Sequence, residues 1–184
     1  MFIQTEKTPN PATIKFLPGQ TVIAGGSAEF RSPEEAAGVS PLAQRLFGLQ
    51  GVKNVFLGDQ FVSVSKHDDT DWSMLKPMVL GALMEHFSLG LPIVTGPVPG
   101  AADAEDDEVV VQIKELIAQR VRPAVMMDGG DITFERFDNG VVYLRMKGAC
   151  SGCPSSTVTL KMGIENMLRH YVPEVREVRP VQDY

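Results

Sequence analysis

Hydrophobic and polar positions alternate with a period of two in four segments of the first half of the chain, which predicts four strands. The first two segments, Phe2–Thr8 and Ala12–Phe16, are separated by a proline-containing turn. The second two, Val52–Leu57 and Phe61–Lys66, are separated by Gly58-Asp59-Gln60. The short spacing between the second two predicts a hairpin.

Helix-start signals lie between and after these strands. Ser32-Pro33 and Ser40-Pro41 each place a capping side chain before a proline, the arrangement that opens a helix. A longer helix is predicted from Asp71 to Gly90, with apolar residues at helical spacing at Trp72, Leu75, Val79, Leu83 and Phe87. We expect the aromatic residues Phe2, Phe16, Trp72 and Phe87 to lie in the core rather than on a docking surface.

The second half repeats this mixture of helices and strands. A helix is predicted from Glu108, ended by Arg122-Pro123, and a second from the apolar positions Leu160, Ile164, Met167, Leu168 and Tyr171. Between them, Asp128–Asp131 predicts a tight turn whose glycines serve backbone geometry, the alternative being that the turn tunes or gates the nearby cysteine loop. Strands Ile132–Phe137 and Val141–Lys147 surround Asp138-Asn139-Gly140, a strong hairpin signal, and Val172–Val181 adds a last strand.

Composition changes sharply between the two halves. Leu91–Gly100 contains three prolines and two glycines, and an acidic stretch follows it to Glu108. Such a segment predicts an extended, solvated linker. The sequence therefore predicts an α+β fold of two small α+β domains, with residues 1–90 and 107–184 joined by a Pro/Gly-rich acidic linker at 91–106.

Charge and length exclude several classes of protein. The chain has 184 residues, 17 basic and 23 acidic side chains and a net charge of −6, which argues against nucleic acid as a partner. No apolar run is long enough to cross a membrane. The first residues show no signal or transit-peptide pattern, so we expect a bacterial cytoplasm, or an organellar matrix if the chain is a processed form.

The chain has two cysteines, Cys150 and Cys153, in a Cys-x-x-Cys spacing. Two thiols cannot build a disulfide scaffold, and so low a count favours a reducing compartment. Pro154 suits the first position of a helix, whose N-terminus favours negative charge, and Arg145 and Lys147 add positive potential nearby. These influences favour thiolates, the form of cysteine that binds metals.

The spacing alone leaves four interpretations open. The pair could be buried and inert, could be a thiol–disulfide redox centre, or could contribute to a zinc site. Zinc needs two further ligands, and the histidines His67, His86 and His170 are scattered along the chain. An iron–sulfur cluster needs four thiolates, which two chains related by a two-fold axis would supply together.

Longer motifs resemble a known family. Met126–Asp131 followed by Gly148–Thr157 resembles the C-terminal domain of NifU and the Nfu iron–sulfur cluster carriers. The first half is similar to the N-terminal domain of Nfu proteins of the mitochondrial and alphaproteobacterial type. The motifs that carry this second resemblance are Thr8–Pro11, Lys15–Gly19, Ser40–Ala43, Gly51-Val52 and Asp71-Trp72.

The resemblance implies a function as well as a fold. It implies a homodimer that bridges one [4Fe–4S] cluster through Cys150 and Cys153 of each chain, receives it from an upstream donor and delivers it to apo proteins. On this basis we expect a carrier and not an enzyme. The chain lacks further cysteines for separate scaffold and ferredoxin-like domains, which favours carriage over assembly. The first domain, having no catalytic constellation, is expected to recognise partners.

Overall fold

The chain folds into two compact units, residues 1–101 and 102–184, and each contains both helices and strands. The predicted two-domain α+β fold is thereby confirmed, whereas the exact domain limits stay a prediction. We describe each unit by itself. The computed structural model describes residues 2–24, 26–97, 107–149 and 154–181.

Within its described residues, the first unit is an antiparallel sheet of five strands, in the order β1-β2-β5-β4-β3, with three helices. Its core is formed by apolar side chains of the sheet and of the helices, among them the fully buried Phe16, Leu46 and Val55. The strands are β1 Gln4–Lys7, β2 Thr13–Leu17, β3 Ala28–Phe30, β4 Val52–Leu57 and β5 Val62–Lys66, and the helices are α1 Pro33–Ala36, α2 Pro41–Phe47 and α3 Trp72–Ser88.

The helices of the first unit begin where the capping signals predict. The Ser32 hydroxyl oxygen accepts a hydrogen bond from the backbone N–H of Glu35 (3.3 Å), and that of Ser40 accepts one from Ala43 (3.1 Å). Asp71 caps α3 in the same way, through the N–H of Ser73. Each bond satisfies a donor that the helix itself leaves unpaired.

Two features of the first unit differ from the sequence prediction. The edge strand β3 was not predicted, because three residues are too few to show a period, and its partner β4 is distant in sequence. Phe2 is 85% exposed, so its assignment to the core is wrong. Phe16 and Phe87 are buried as expected, and Trp72 is half-buried with its indole N–H donating to the Pro11 carbonyl.

Residues 91–96, which we call the strap, are solvated in part, with Leu91, Pro92 and Thr95 exposed, and in part lie against the first unit. Ile93 and Val94 pack on its core. The Ser40 hydroxyl donates to the Ile93 carbonyl (2.6 Å), and the N–H of Thr95 donates to the Val39 carbonyl (2.8 Å). The remainder of the predicted linker, residues 98–106, lies outside the described residues.

The second unit contains a three-stranded sheet in the order β6-β7-β8. β6 and β7 form an antiparallel hairpin, and β7 and β8 are parallel. A parallel pair needs a crossover, which helix α6 provides. The elements are α4 Glu108–Leu116, a π-helical turn Ile117–Val121, α5 Arg122–Met127, β6 Gly130–Asp138, β7 Val141–Gly148, α6 Pro154–Tyr171 and β8 Glu177–Pro180.

The prediction that Arg122-Pro123 ends the first helix of this unit is wrong. The chain passes from α4 through the π turn, where the N–H of Arg122 donates to the Ile117 carbonyl, and continues as α5 to Met127. The wide turn restarts the hydrogen-bond pattern, so Pro123 falls in the first turn of α5. A missing N–H costs no helical hydrogen bond there.

The predicted hairpin and core of the second unit are confirmed. Asn139 (φ 47°) and Gly140 (φ 81°) both have positive φ, as a type I′ turn requires. Within the described residues, no helix is both long enough and apolar enough to cross a membrane. Tyr171 is exposed, unlike the other predicted core residues of α6. The buried core residues include Ile132, Val142, Leu144, Ile164 and Leu168.

His86 joins α3 to the strap and makes the stability of the first unit depend on pH. The side chain is 1% exposed, and its Nε2 lies 3.1 Å from the Pro92 carbonyl oxygen. Burial lowers the pKa of His86; the nearby Arg45 lowers it further, while the Pro92 carbonyl partly opposes the shift. The unfolded chain therefore binds a proton at a higher pH than the folded chain does.

We expect the stability contributed by neutral His86 to be complete above about pH 6.5 and to be lost as the pH falls through the lowered folded pKa. His86→Gln should reduce this acid destabilisation, whereas His67→Gln, at an exposed position, should retain it. Urea unfolding followed by the fluorescence of Trp72, the single tryptophan, reports on the first unit. An acid destabilisation of equal size in both variants would contradict the assignment.

Candidate functional site

The structure describes both flanks of the predicted cysteine site. Cys150 and Cys153 themselves, in residues 150–153, lie outside the described residues. On one side β7 ends at Gly148 and is followed by the buried Ala149, and on the other α6 begins at Pro154. The predicted strand end and helix start therefore bracket the cysteines in sequence.

The backbone just before Cys150 is held against the predicted turn at Asp128–Asp131. Gly130 is the ladder partner of Gly148, and the N–H of Ala149 donates to the Gly129 carbonyl (3.3 Å). Gly129 and Gly148 have φ values of 83° and 65°, which side chains with a Cβ rarely adopt. Backbone geometry thus accounts for both glycines, and the same geometry attaches the turn to the flank of the cysteines.

Asp131 is fully buried and forms a bidentate ion pair with Arg122. Arg122 Nε and one terminal nitrogen each lie 2.9 Å from a carboxylate oxygen, and the N–H of Ile132 donates to Oδ1 at 2.7 Å. The hydrogen bonds to Asp131 raise the pKa of Arg122. Because a buried carboxylate is unstable without a partner, the pair fixes the start of α5 against the start of β6.

Sequence reasoning missed Arg122 as a residue of this region. It assigned Arg122 to a helix end, since nothing in the local pattern signals an ion pair across nine positions. The available signal was an aspartate at the start of an apolar strand, where a charged side chain needs a partner. The motif Gly-Gly-Asp could have prompted a search for that partner.

The two basic residues of β7 have different surroundings. Arg145 forms an ion pair with Glu135, with 2.6 Å between Nε and Oε1, so its charge is offset locally. Lys147 is buried and is the ladder partner of Asp131. We expected both side chains to add positive potential near the cysteines. For Arg145 that expectation is incomplete, because Glu135 offsets its charge.

The histidines do not converge on a metal site within the part of the chain that the structure describes. There, no group of three or more His, Cys, Asp or Glu side chains is placed to hold a metal ion. His86 Nε2 lies within hydrogen-bond distance of the Pro92 carbonyl in the strap. The ring of His170 packs edge-on against Tyr171 with centroids 5.0 Å apart. His67 lies in the turn before α3.

The likeness to known proteins extends over both units. A family model described as "Scaffold protein Nfu/NifU N terminal" matches residues 3–90, and one described as "NifU-like domain" matches residues 113–179. Both halves of a two-domain scaffold protein are thus present in one chain.

Full-length relatives agree with the family models. The human "NFU1 iron-sulfur cluster scaffold homolog, mitochondrial" is 48% identical over 186 residues, which cover all of this chain and 73% of the human protein. The Drosophila persimilis protein of the same name is 50% identical, with 100% of this chain and 66% of that protein covered. "NifU-like protein 4, mitochondrial" of Arabidopsis thaliana is 51% identical, with 97% and 65% covered. The chain belongs to the Nfu/NifU family of iron–sulfur cluster scaffold proteins.

We expect Arg122→Ala to destabilise the second unit by about 3–5 kcal/mol, because it removes the guanidinium that forms a bidentate ion pair with the buried Asp131 carboxylate. Arg169→Ala is the control, since Arg169 makes only an exposed 3.9 Å contact with Glu165, worth less than about 1 kcal/mol. Native-state amide hydrogen exchange of β6 and β7 measures the opening free energy of this unit. Equal protection in the two variants would show that the ion pair is dispensable.

Proposed function

We propose that this protein carries a [4Fe–4S] cluster between two chains and delivers it to apo proteins, with Cys150 and Cys153 of each chain as the ligands. The observation that carries the proposal is the Cys-x-x-Cys pair between β7 and α6, in a chain alike over its full length to proteins named as iron–sulfur cluster scaffolds. The cluster is the cargo of such a protein.

The number of thiols supports a site shared by two chains. A cluster of this type takes four thiolate ligands, and the chain has two cysteines. A dimer with a two-fold axis through the cluster supplies four equivalent ligands without any other residue type. Such a site opens when the chains separate, so that thiolates of a recipient can replace those of the carrier.

Electrostatics around the cysteines favour the charged form of the ligands. α6 begins at the residue after Cys153, and the first turn of a helix has unpaired N–H groups that stabilise negative charge. Thiolates are the ligand form, and the cluster with four of them is an anion. The helix start therefore supports binding of a cluster by the cysteine thiolates.

The names of the relatives bear on where the protein works. Those proteins are named as mitochondrial, which supports an organellar matrix for this chain. A bacterial cytoplasm is the other reducing compartment that suits free thiols. In either compartment the partners are an upstream cluster donor and apo iron–sulfur proteins.

In our proposal the chain consists of a first domain at residues 1–90, a linker at 91–106 and a second domain at 107–184, and the two domains have different tasks. The first domain recognises recipients, and the second holds the cluster. In support, α3 exposes the methionines Met74, Met78 and Met84, and flexible methionine surfaces adapt to several different partners.

Replacing either Cys150 or Cys153 by Ala is expected to abolish the visible absorbance of protein reconstituted anaerobically with iron and sulfide, because each chain then lacks a ligand. Ser151→Ala, between the two cysteines, is the control and should retain the spectrum. A cysteine variant with the full spectrum would refute the ligand assignment. Bound zinc without iron, or turnover in an insulin-reduction assay without a cluster, would favour the zinc or the thiol–disulfide alternative.

Met74→Lys is expected to slow cluster transfer to at least one recipient without changing the amount of cluster bound, since Met74 is 71% exposed on α3. Gln20→Lys adds the same charge at another exposed position of the first unit and should not affect transfer. The measurement is the rate of activation of an apo recipient by the loaded carrier. Wild-type rates for every recipient tested would count against recognition by this face of the domain.

A further inference from the structure

His86 contacts the strap through one nitrogen of its ring. The Pro92 carbonyl oxygen can only accept a hydrogen bond, so Nε2, 3.1 Å from it, carries the proton of the neutral ring. Nδ1 is then an acceptor, and it is buried without a hydrogen-bond partner among the described residues. A protonated ring would place a second N–H and a positive charge at a buried position where no described group accepts them.

The charged groups around His86 do not favour a positive ring. Burial has the largest effect and lowers the pKa of His86; Arg45 on α2 lowers it further, and the Pro92 carbonyl opposes both. Glu85, the preceding residue on α3, is exposed and is ion-paired with Arg45 at 2.7 Å. The strap and residues 37–40, on which it lies, contain no titratable side chain. Protonation of the ring is therefore unfavourable while the strap is in place.

The strap has a closely fitted seat on the first unit. The N–H groups of Thr95 and Gly96 donate to the Val39 carbonyl at 2.8 and 3.2 Å. At Gly96 the two backbone segments are so close that a Cβ would lie 2.6 Å from the Gly38 carbonyl oxygen. This seat therefore requires a glycine.

The contacts of the strap are few compared with those of the core beneath it. The strap belongs to no strand or helix, and its apolar side chains Ile93 and Val94 are only partly buried. The core consists of fully buried side chains of the sheet and helices, such as Leu46 and Val55. A segment with few buried apolar contacts opens at a lower free-energy cost than the whole unit does.

We propose that the strap is a pH-sensitive device: protonation of His86 releases residues 91–96 from the first unit while its sheet and helices stay folded. In the released state the ring is in water, where a histidine has a pKa of about 6.5. Release becomes more favourable as the pH falls below that value, until the pH reaches the lowered pKa of the bound state. The device does not depend on the proposed cluster.

Release of the strap lengthens the connection between the two units. Six residues of extended chain span at most about 20 Å. With the strap bound, the connection begins at Pro97; with the strap released, it begins after α3, at Gly90. Acid therefore increases the reach of one unit from the other without changing the fold of either.

Hydrogen exchange of backbone amides, measured by NMR on the cluster-free full chain, tests this device directly. The Thr95 amide reports on the strap, and the amides of β4 and β5 report on the sheet. After correction for intrinsic exchange, the opening constant at Thr95 should rise by up to about tenfold for each pH unit below about 6.5. The sheet should stay protected over the same range.

Two pairs of variants separate charge from fit. His86→Gln keeps a donor for the strap and cannot become charged, so its strap should stay bound in acid; His67→Gln, at an exposed position, should open as wild type does. Gly96→Ala should release the strap at every pH, because its Cβ has no room. Gly81→Ala, where a Cβ meets nothing within 4 Å, should retain the strap.

Equal protection of Thr95 above and below about pH 6.5 in the wild type would overturn the proposal. Parallel loss of protection in β4 and β5 would also overturn it, because the unit would then unfold as a whole. NMR of the His86 ring in the wild type keeps the test decisive even if His86→Gln does not fold. Opening at Thr95 that does not follow the titration of that ring would show that another group is responsible, and would refute the assignment.

Discussion

The ion pair between the buried Asp131 carboxylate and Arg122 is the interaction on which the segment that precedes the cysteines depends. The Arg122 guanidinium pairs with the carboxylate and the Ile132 N–H donates a hydrogen bond to it, so the start of α5 and the start of β6 are fixed together. The adjacent Gly130 pairs with Gly148 at the end of β7. The buried ion pair and this backbone pairing together fix the described residues that precede the cysteines in sequence.

Features that depend on neighbouring residues were predictable from the sequence. The caps at Ser32 and Ser40 act on N–H groups three positions away, and the turn at Asn139-Gly140 depends on the ability of two residues to adopt positive φ. The cysteine pair and the helix start at Pro154 are equally local signals. These features recur in many proteins because the physics acts within one turn.

Features that depend on distant contacts were not predictable. β3 exists because β4 pairs with it, and the strap is bound because Ser40 and Val39 offer it hydrogen bonds. The sequence prediction placed Arg122 at a helix end because its partner Asp131 lies nine positions later. The short helix and the turn between the two residues leave no periodic signal. Phe2 lies before the start of β1 and is exposed, which its hydrophobicity alone does not predict.

A carrier must hold its cargo without making release too slow, and the proposed division of binding free energy meets both needs. If protein contacts alone held two chains together, removal of the cluster would leave the dimer closed and the site inaccessible. In the dimer that we propose, the iron–thiolate bonds supply most of the association free energy, so ligand exchange with a recipient also separates the chains.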